Sequence, residues 1–122
     1  MSKISTHVLD TVLGKPGAGV LVQLDRMLGG VGRSEEGARD EAAQWIRLST
    51  GKTDADGRCN ALKTDAVPGF YRLTFNIRAY LKPLGRTSLY PEASITFECD
   101  GISHYHLPLL LSDNSYTTYR GS

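Results

Sequence analysis

The chain has 122 residues, of which 40% are hydrophobic and 22% charged, and its formal net charge is +1. These values are typical of one globular domain that buries its own core. The nearly balanced charge predicts no electrostatic surface for nucleic acid, and no apolar run approaches the ~20 residues needed to span a membrane. Cys59 and Cys99 lack the spacing of a zinc knuckle, so we expect two reduced thiols.

The first residues carry no apolar segment of the kind that directs secretion. We therefore expect a cytoplasmic protein, with the peroxisome open for a eukaryotic relative although no SKL-type ending is present. Ser5–Thr11 alternates with period two and predicts a strand, and Gly14, Pro16 and Gly17 predict a turn after it. The compact apolar run Gly19–Leu24 predicts a second strand.

Met27–Gln44 is rich in Gly, Glu, Arg and Ala and shows no strand alternation. We interpret it as an exposed insertion between two strands. Ser34, followed by Glu35 and Glu36, has the pattern that caps a short helix, which would extend to Gln44.

The next motif, GKTDADGRCN, ends in a cation, Arg58. Asp54, Asp56 and Gly57 partly resemble a calcium-binding loop, but the further oxygen ligands and the distant Glu are missing. A β-turn that places Arg58 at the start of a strand is favoured. Arg58 is then either a plain surface residue or a group that binds an anion or a carbonyl.

Four strands and one short helix are predicted in the second half of the chain. The strands are Phe70–Phe75, Ala93–Cys99, His104–Leu111 and Tyr116–Gly121. Ile77, Tyr80, Leu81 and Leu84 have helical spacing, and Pro83 and Gly85 would end that helix. The last two strands form a hairpin around the turn Ser112–Ser115. Many short strands joined by turns predict a β-sandwich, and that fold alone says nothing about chemistry.

The sequence contains three histidines, His7, His104 and His106. In the strand His104–Leu111, Tyr105 and the leucines at odd positions share the face expected to join the core. His106 then projects to the opposite face together with Pro108 and Leu110. An apolar outer face that carries an imidazole indicates an interface or a cleft rather than bulk solvent. Imidazole titrates near neutral pH and is the commonest general acid or base, so this face is a candidate for chemistry.

Three stretches, ISTHVLDTVLGKPGAGVLVQL, GKTDADGRC and HYHLPLLLSDNSYTTYRGS, together resemble the transthyretin-like 5-hydroxyisourate hydrolases, a family of urate degradation. The terminal YRGS is the most specific feature of that enzyme family. The resemblance covers nearly the whole chain, and Met27–Gln44, longer than the connection expected in the family, departs from it.

The resemblance implies two four-stranded sheets, one short helix, and a homotetramer whose active sites lie in the channel between two dimers. It implies hydrolysis of 5-hydroxyisourate to 2-oxo-4-hydroxy-4-carboxy-5-ureidoimidazoline by a histidine-activated water, with no cofactor and no required metal. The catalytic residues that it implies are His7, Arg58, His106 and Ser122. The substrate-binding residues that it implies are Tyr119, Arg120, Gly121 and His104.

Two other functions stay open at this point. The first is a transthyretin-type carrier of a small aromatic ligand, which needs apolar channel walls and has no use for His7, Arg58 and His106 together. The second is a structural or adhesion sandwich, which predicts no clustered histidines on the outer face. The sequence does not decide which histidine is the general base.

Overall fold

The computed structural model describes residues 1–28 and 44–121. The helix predicted after Ser34, most of the predicted insertion and Ser122 lie outside the described residues. Nine strands, one short α-helix and one 3₁₀ turn follow along the described chain. They are β1 Ser2–Asp10, β2 Lys15–Pro16, β3 Leu21–Leu28, β4 Gln44–Lys52, β5 Arg58–Ala66, β6 Gly69–Phe75, α1 Ile77–Leu81, the 3₁₀ turn Lys82–Leu84, β7 Ala93–Cys99, β8 Tyr105–Leu111 and β9 Tyr116–Thr118.

The strands form two sheets, so the predicted all-β sandwich with one short helix is confirmed. In the first sheet, β1 pairs with β5 along one edge and in parallel with β8 along the other, and β9 follows β8. The two-residue β2 extends this sheet by pairing with Leu9 and Asp10, so the sheet has five strands instead of the expected four. The second sheet has the order β4-β3-β6-β7.

The core fills the space between the sheets with alternate residues of each strand. Ile4 and Val8 of β1 and Leu109 of β8 face Leu73 and Phe75 of β6, and all five are fully buried. Ile77 and Leu81 of α1 close one end of this core. Because side chains alternate across a strand, the odd-numbered residues of β1 and the even-numbered residues of β8 point out of the first sheet.

Several predicted boundaries were wrong, and exposure explains the largest error. β4 was not predicted, because most of its residues are exposed and no apolar alternation marks it. Its pairing makes Met27, Leu28 and Gln44 strand residues, where they were expected in the insertion. β1 begins at Ser2 and ends at Asp10, and β3 runs four residues beyond Leu24.

The last strand was predicted to reach Gly121 but ends at Thr118. A single bridge between His106 and Gly121 then resumes the register of the β8–β9 pair. The gap lies opposite Pro108, which has no backbone N–H to donate to the neighbouring strand. Thr118 Oγ1 donates a 2.7 Å hydrogen bond to the Pro108 carbonyl oxygen at the edge of this gap. Proline therefore explains why the terminal strand is interrupted.

Candidate active site

The outer face of the first sheet brings together three of the predicted residues. His7 on β1 lies opposite Arg58 on β5 and opposite Pro108 on β8. One step earlier on the same face of β1, Ser5 lies opposite His106. Residues separated by about 50 and 100 positions in the chain therefore meet at the centre of one sheet because β1 lies between β5 and β8.

The two histidine rings lie side by side, with their centroids 6.5 Å apart and their planes tilted by 34°. His7 Nε2 lies 2.9 Å from the backbone carbonyl oxygen of Asp56. A carbonyl oxygen can only accept a hydrogen bond, so Nε2 carries the proton. When His7 is neutral, its Nδ1 is therefore the nitrogen with a free lone pair.

The ring of His106 is half-buried and its Nδ1 lies 2.8 Å from Ser5 Oγ. Burial lowers the pKa of His106, and the positive charges of Arg58, His7 and Lys3 lower it further, below the ordinary value of 6.5. Both effects penalise the imidazolium form. His106 is therefore neutral at neutral pH, which is the form that accepts a proton.

A cleft of about 350 Å³ opens in front of His106. It is lined by Lys3, Ser5, Arg58, Asn60, His104, Tyr105, His106 and Gly121. Lys3, Ser5 and Asn60 were not predicted as site residues. Strand alternation could have indicated them. Lys3 and Ser5 share the outward face of β1 with His7, and Asn60 follows Arg58 by two positions on β5.

The C-terminal segment lies against His106. The backbone N–H of Gly121 donates a 2.7 Å hydrogen bond to the His106 carbonyl oxygen. A Cβ on Gly121 would lie 2.8 Å from His106 Cδ2 and 3.4 Å from Pro108 Cδ, so a side chain at this position would press on the ring. Glycine is thus required here by the close approach to His106.

Of the other predicted substrate-binding residues, His104 lines this cleft, and Arg120 lies at its rim in contact with His104 and Tyr105. Tyr119 is exposed and does not line it. The Arg120 guanidinium stacks 4.5 Å above the ring of Tyr105 and donates a 3.3 Å hydrogen bond to the His104 carbonyl oxygen. His104 Nδ1 accepts a 3.3 Å hydrogen bond from the backbone N–H of Lys3, so His104 offers an N–H at Nε2 when neutral.

Pro108 was predicted to be an exposed apolar residue of the outer face, and this is wrong for the single chain. Pro108 is buried, and the terminal segment passes close to its ring at Gly121. Its neighbour on the same face, Leu110, is only half-buried. Exposed apolar surface around this sheet instead comes from residues that follow the strands, such as Leu13 and Tyr119.

The loop DADG is a tight turn. The Asp54 carboxylate accepts hydrogen bonds of 2.9 Å from the Asp56 N–H and 3.0 Å from the Arg58 N–H. This arrangement uses the carboxylate to hold the turn that delivers Arg58 to β5, as the β-turn interpretation predicts. Within residues 1–28 and 44–121, no three His, Cys, Asp or Glu side chains converge as a metal site.

A second and larger cleft, of about 620 Å³, lies on the other sheet beside α1. Arg78, Lys82 and Glu92 are its charged lining residues, and it contains no histidine. The chemistry that the histidines offer therefore belongs to the smaller cleft. No helix in the described ranges is long and apolar enough to cross a membrane.

Comparison with known proteins agrees with this architecture. The chain is 40% identical over 124 residues to the 5-hydroxyisourate hydrolase of Mus musculus, an alignment that covers 99% of this chain and 96% of that protein. The solved structure of Klebsiella pneumoniae 5-hydroxyisourate hydrolase superposes with a TM-score of 0.79 at 35% identity and full coverage of both chains. Sparus aurata transthyretin also superposes with a TM-score of 0.79, at 31% identity, covering 98% of this chain and 96% of that chain.

The curated relatives with nearly full-length matches are hydrolases, and this protein is an enzyme of that class. A family model described as HIUase/Transthyretin matches residues 4–121. The protein therefore belongs to the HIUase/Transthyretin family.

Proposed function

We propose that this enzyme hydrolyses 5-hydroxyisourate to 2-oxo-4-hydroxy-4-carboxy-5-ureidoimidazoline, a reaction of urate degradation. The observation that carries the proposal is that His7, His106 and Arg58 lie together on one face of the first sheet, beside a single cleft. His106 and Arg58 line this cleft, and the His7 ring lies 6.5 Å from that of His106. The names of the relatives supply the substrate, and this geometry supplies a mechanism.

The first step is activation of water. A ring nitrogen of the His7–His106 pair takes a proton from a water molecule in the cleft, and the hydroxide adds to the carbonyl carbon of a ring amide. A positioned general base contributes about 10²–10⁴-fold to such a step. The lowered pKa of His106 keeps its imidazole in the proton-accepting form.

The second step is opening of the ring. Arg58, which lines the cleft, donates hydrogen bonds from its guanidinium to the oxygen that becomes negative as hydroxide adds. The carbon–nitrogen bond then breaks, the ring nitrogen takes the proton held by the histidine pair, and the carbonyl carbon becomes a carboxylic acid, which releases its remaining proton to solvent as a carboxylate. Water is the only co-reactant, so the step needs no cofactor.

The C-terminal residues and the rim complete this proposal. His104, Tyr119 and Arg120 bind the ring edges of the substrate from the rim, Gly121 fixes His106, and Ser122 orients substrate or water by hydrogen bonds. We further propose a cytoplasmic homotetramer in which a second subunit covers this face of the sheet. Tyr119, which follows β9 and is 52% exposed in the single chain, supports such a cover.

The alternative is a carrier like transthyretin, and the likeness to Sparus aurata transthyretin favours it. A carrier channel binds by apolar walls, whereas this cleft contains Lys3, Arg58, Asn60 and two histidines. The polar lining favours the hydrolase proposal over the carrier.

The deciding experiment is an ultraviolet assay on freshly generated 5-hydroxyisourate. We expect the protein to accelerate loss of the substrate signal, and His106→Asn to remove most of that acceleration while circular dichroism stays unchanged. Ser94→Ala, on the other sheet, is the control. A wild-type protein that binds the substrate without consuming it would favour the carrier, and a His106→Asn variant with nearly normal turnover would exclude His106 as the base.

A further inference from the structure

The hydroxyl of Ser5 is in direct contact with one of the two site histidines. Ser5 lies opposite His106 in the parallel β1–β8 pair, and its Oγ is 2.8 Å from His106 Nδ1. The contact is partly buried, and both residues line the cleft. Ser5 is half-buried, and its Oγ has no other hydrogen bond within the part of the chain that the structure describes. The serine hydroxyl is therefore available to act on this one ring.

A hydroxyl both donates and accepts, so the contact has two forms with opposite chemistry. If Ser5 donates to Nδ1, the neutral ring carries its proton on Nε2 and cannot take another one there. If Ser5 accepts from Nδ1–H, then Nε2 holds a free lone pair. Only the second form allows His106 to remove a proton from water through Nε2.

The charges around His106 favour the second form. Arg58 of β5 and Lys3 of β1 line the same cleft, and His7 of β1 lies beside the ring. All three are cationic groups or groups that can become cationic, and they face His106 from the strands packed against it. The bare nitrogen is the negative end of the imidazole dipole, so a positive cleft stabilises a ring whose lone pair faces it. On the side of the terminal segment, Gly121 restricts the ring by its close approach to Cδ2.

We propose that Ser5 is a positioning residue that accepts a hydrogen bond from His106 Nδ1–H and so directs the Nε2 lone pair of His106 into the cleft. The role of this tautomer in catalysis rests on the proposed function, whereas the assignment of the proton to His106 Nδ1 does not. Together with the Asp56 carbonyl at His7, Ser5 then leaves each member of the histidine pair with a proton-accepting nitrogen. Main chain fixes one ring and a side-chain hydroxyl fixes the other.

The test compares wild type with Ser5→Ala, Ser5→Thr and the control Ser94→Ala. Nitrogen-15 NMR of the His106 ring, recorded above its pKa, reads which nitrogen carries the proton. We expect the proton on Nδ1 in wild type and in the control, a shift toward Nε2 in Ser5→Ala, and a return to Nδ1 in Ser5→Thr, which restores a hydroxyl. We also expect kcat to fall about tenfold in Ser5→Ala with little change in KM, the effect of losing one hydrogen bond to a group that becomes charged.

Each outcome decides the proposal. A wild-type ring with its proton on Nε2, or a Ser5→Ala ring with an unchanged tautomer, overturns the assigned role of Ser5. A changed tautomer with an unchanged kcat overturns its catalytic consequence. A wild-type protein that does not consume 5-hydroxyisourate removes the proposed function, while the NMR comparison still decides whether Ser5 sets the tautomer.

Discussion

Gly121 and His106 are linked twice: the Gly121 N–H donates a 2.7 Å hydrogen bond to the His106 carbonyl oxygen, and the Gly121 Cα lies so close to the His106 ring that a Cβ would stand 2.8 Å from Cδ2. The second contact limits where the ring can turn. Gly121 therefore restricts the positions that the His106 ring can adopt. This is a physical reason for a glycine in the terminal YRGS.

Gly121→Ala should consequently displace the His106 ring. Because small displacements of a catalytic group cost large factors in rate, we expect kcat to fall by about tenfold or more. Steady-state kinetics on 5-hydroxyisourate measures the loss. Gly14→Ala is the matched control, since Gly14 has a positive φ of 65° but no atom within 4 Å of its Cβ position. It should lower stability by about 1 kcal/mol and leave turnover unchanged. Equal losses of turnover in both variants would contradict the role of Gly121.

The pH dependence of the reaction follows from the lowered pKa of His106. Activity requires the neutral ring, so it falls as pH drops through that pKa, and the acid limb of kcat/KM should lie below the ordinary value of 6.5. Arg58→Gln removes one of the charges that lower this pKa. The residual activity of that variant should therefore show an acid limb at higher pH than wild type. A limb that stays in place or moves to lower pH would show that another group controls it.

Strands in which apolar and polar residues alternate, such as β6 and β7, could be predicted from the sequence because one face of each strand is buried in the core. β4 could not be predicted, since it is an edge strand in which no residue is buried, and its apolar residues do not alternate with polar ones. The motifs around His7, Arg58 and His106 marked these residues individually. Their distances could not be predicted, because the parallel pairing of β1 with β8 joins residues about 100 positions apart. The pairing also placed Ser5 on His106, a contact for which the sequence has no local signal.

The end of β1 depends on a buried ion pair. Asp10 is buried, its carboxylate accepts hydrogen bonds from Arg86 and from the Tyr80 hydroxyl, and Arg86 also bonds Asp113. Burial by itself raises the pKa of Asp10, but these hydrogen bonds outweigh it and hold the pKa below 3.8. Burial, together with the hydrogen bond to this carboxylate, raises the pKa of Tyr80 to about 12. This cluster ties β1 to the segment after α1 and to the β8–β9 turn.

Asp10→Asn should lower the free energy of unfolding by about 2 kcal/mol at pH 7, because it leaves Arg86 with one carboxylate partner instead of two. The folded-state pKa is depressed, so the contribution of Asp10 is present above the unfolded pKa and disappears as pH falls through the folded value. The difference between variant and wild type should thus narrow in acid. Urea unfolding at several pH values measures it. Asp65→Asn, which breaks an exposed 2.9 Å pair with Lys63, is the control and should change little. A difference that widens in acid would contradict the assigned sign.

A deletion tests the role of the predicted insertion, whose bounds are revised here because β3 and β4 pair at its two ends. Met27 pairs with Trp45 and Leu28 with Gln44, so these residues must be kept. The sequence from 29 to 43 contains one large apolar residue, Val31, and a shorter connection costs less closure entropy. Replacing 29–43 by a two-residue turn should change the melting temperature by only a few degrees and preserve turnover. A large loss of stability would show that the segment packs against the rest of the chain.

The final prediction concerns additions to the two ends of the chain. Met1 is exposed and lies at the start of β1, whereas the C-terminus follows directly after the residue that touches His106. A tag after Ser122 begins two residues beyond Gly121, which lines the cleft, and in the proposed tetramer a second subunit covers this face. We therefore expect a C-terminal tag to lower kcat much more than an equal tag before Met1.

Deleting Arg120–Ser122 should also lower kcat, because it removes the Gly121 contact with the His106 ring and the Arg120 stack on Tyr105. It should hardly affect stability, since the deletion lies beyond β9 and removes one backbone hydrogen bond to β8. Turnover of the three proteins, with circular dichroism and light scattering as controls for folding and assembly, makes the comparison. A folded, C-terminally tagged protein with full activity would show that the terminal residues mark the family without taking part in the site.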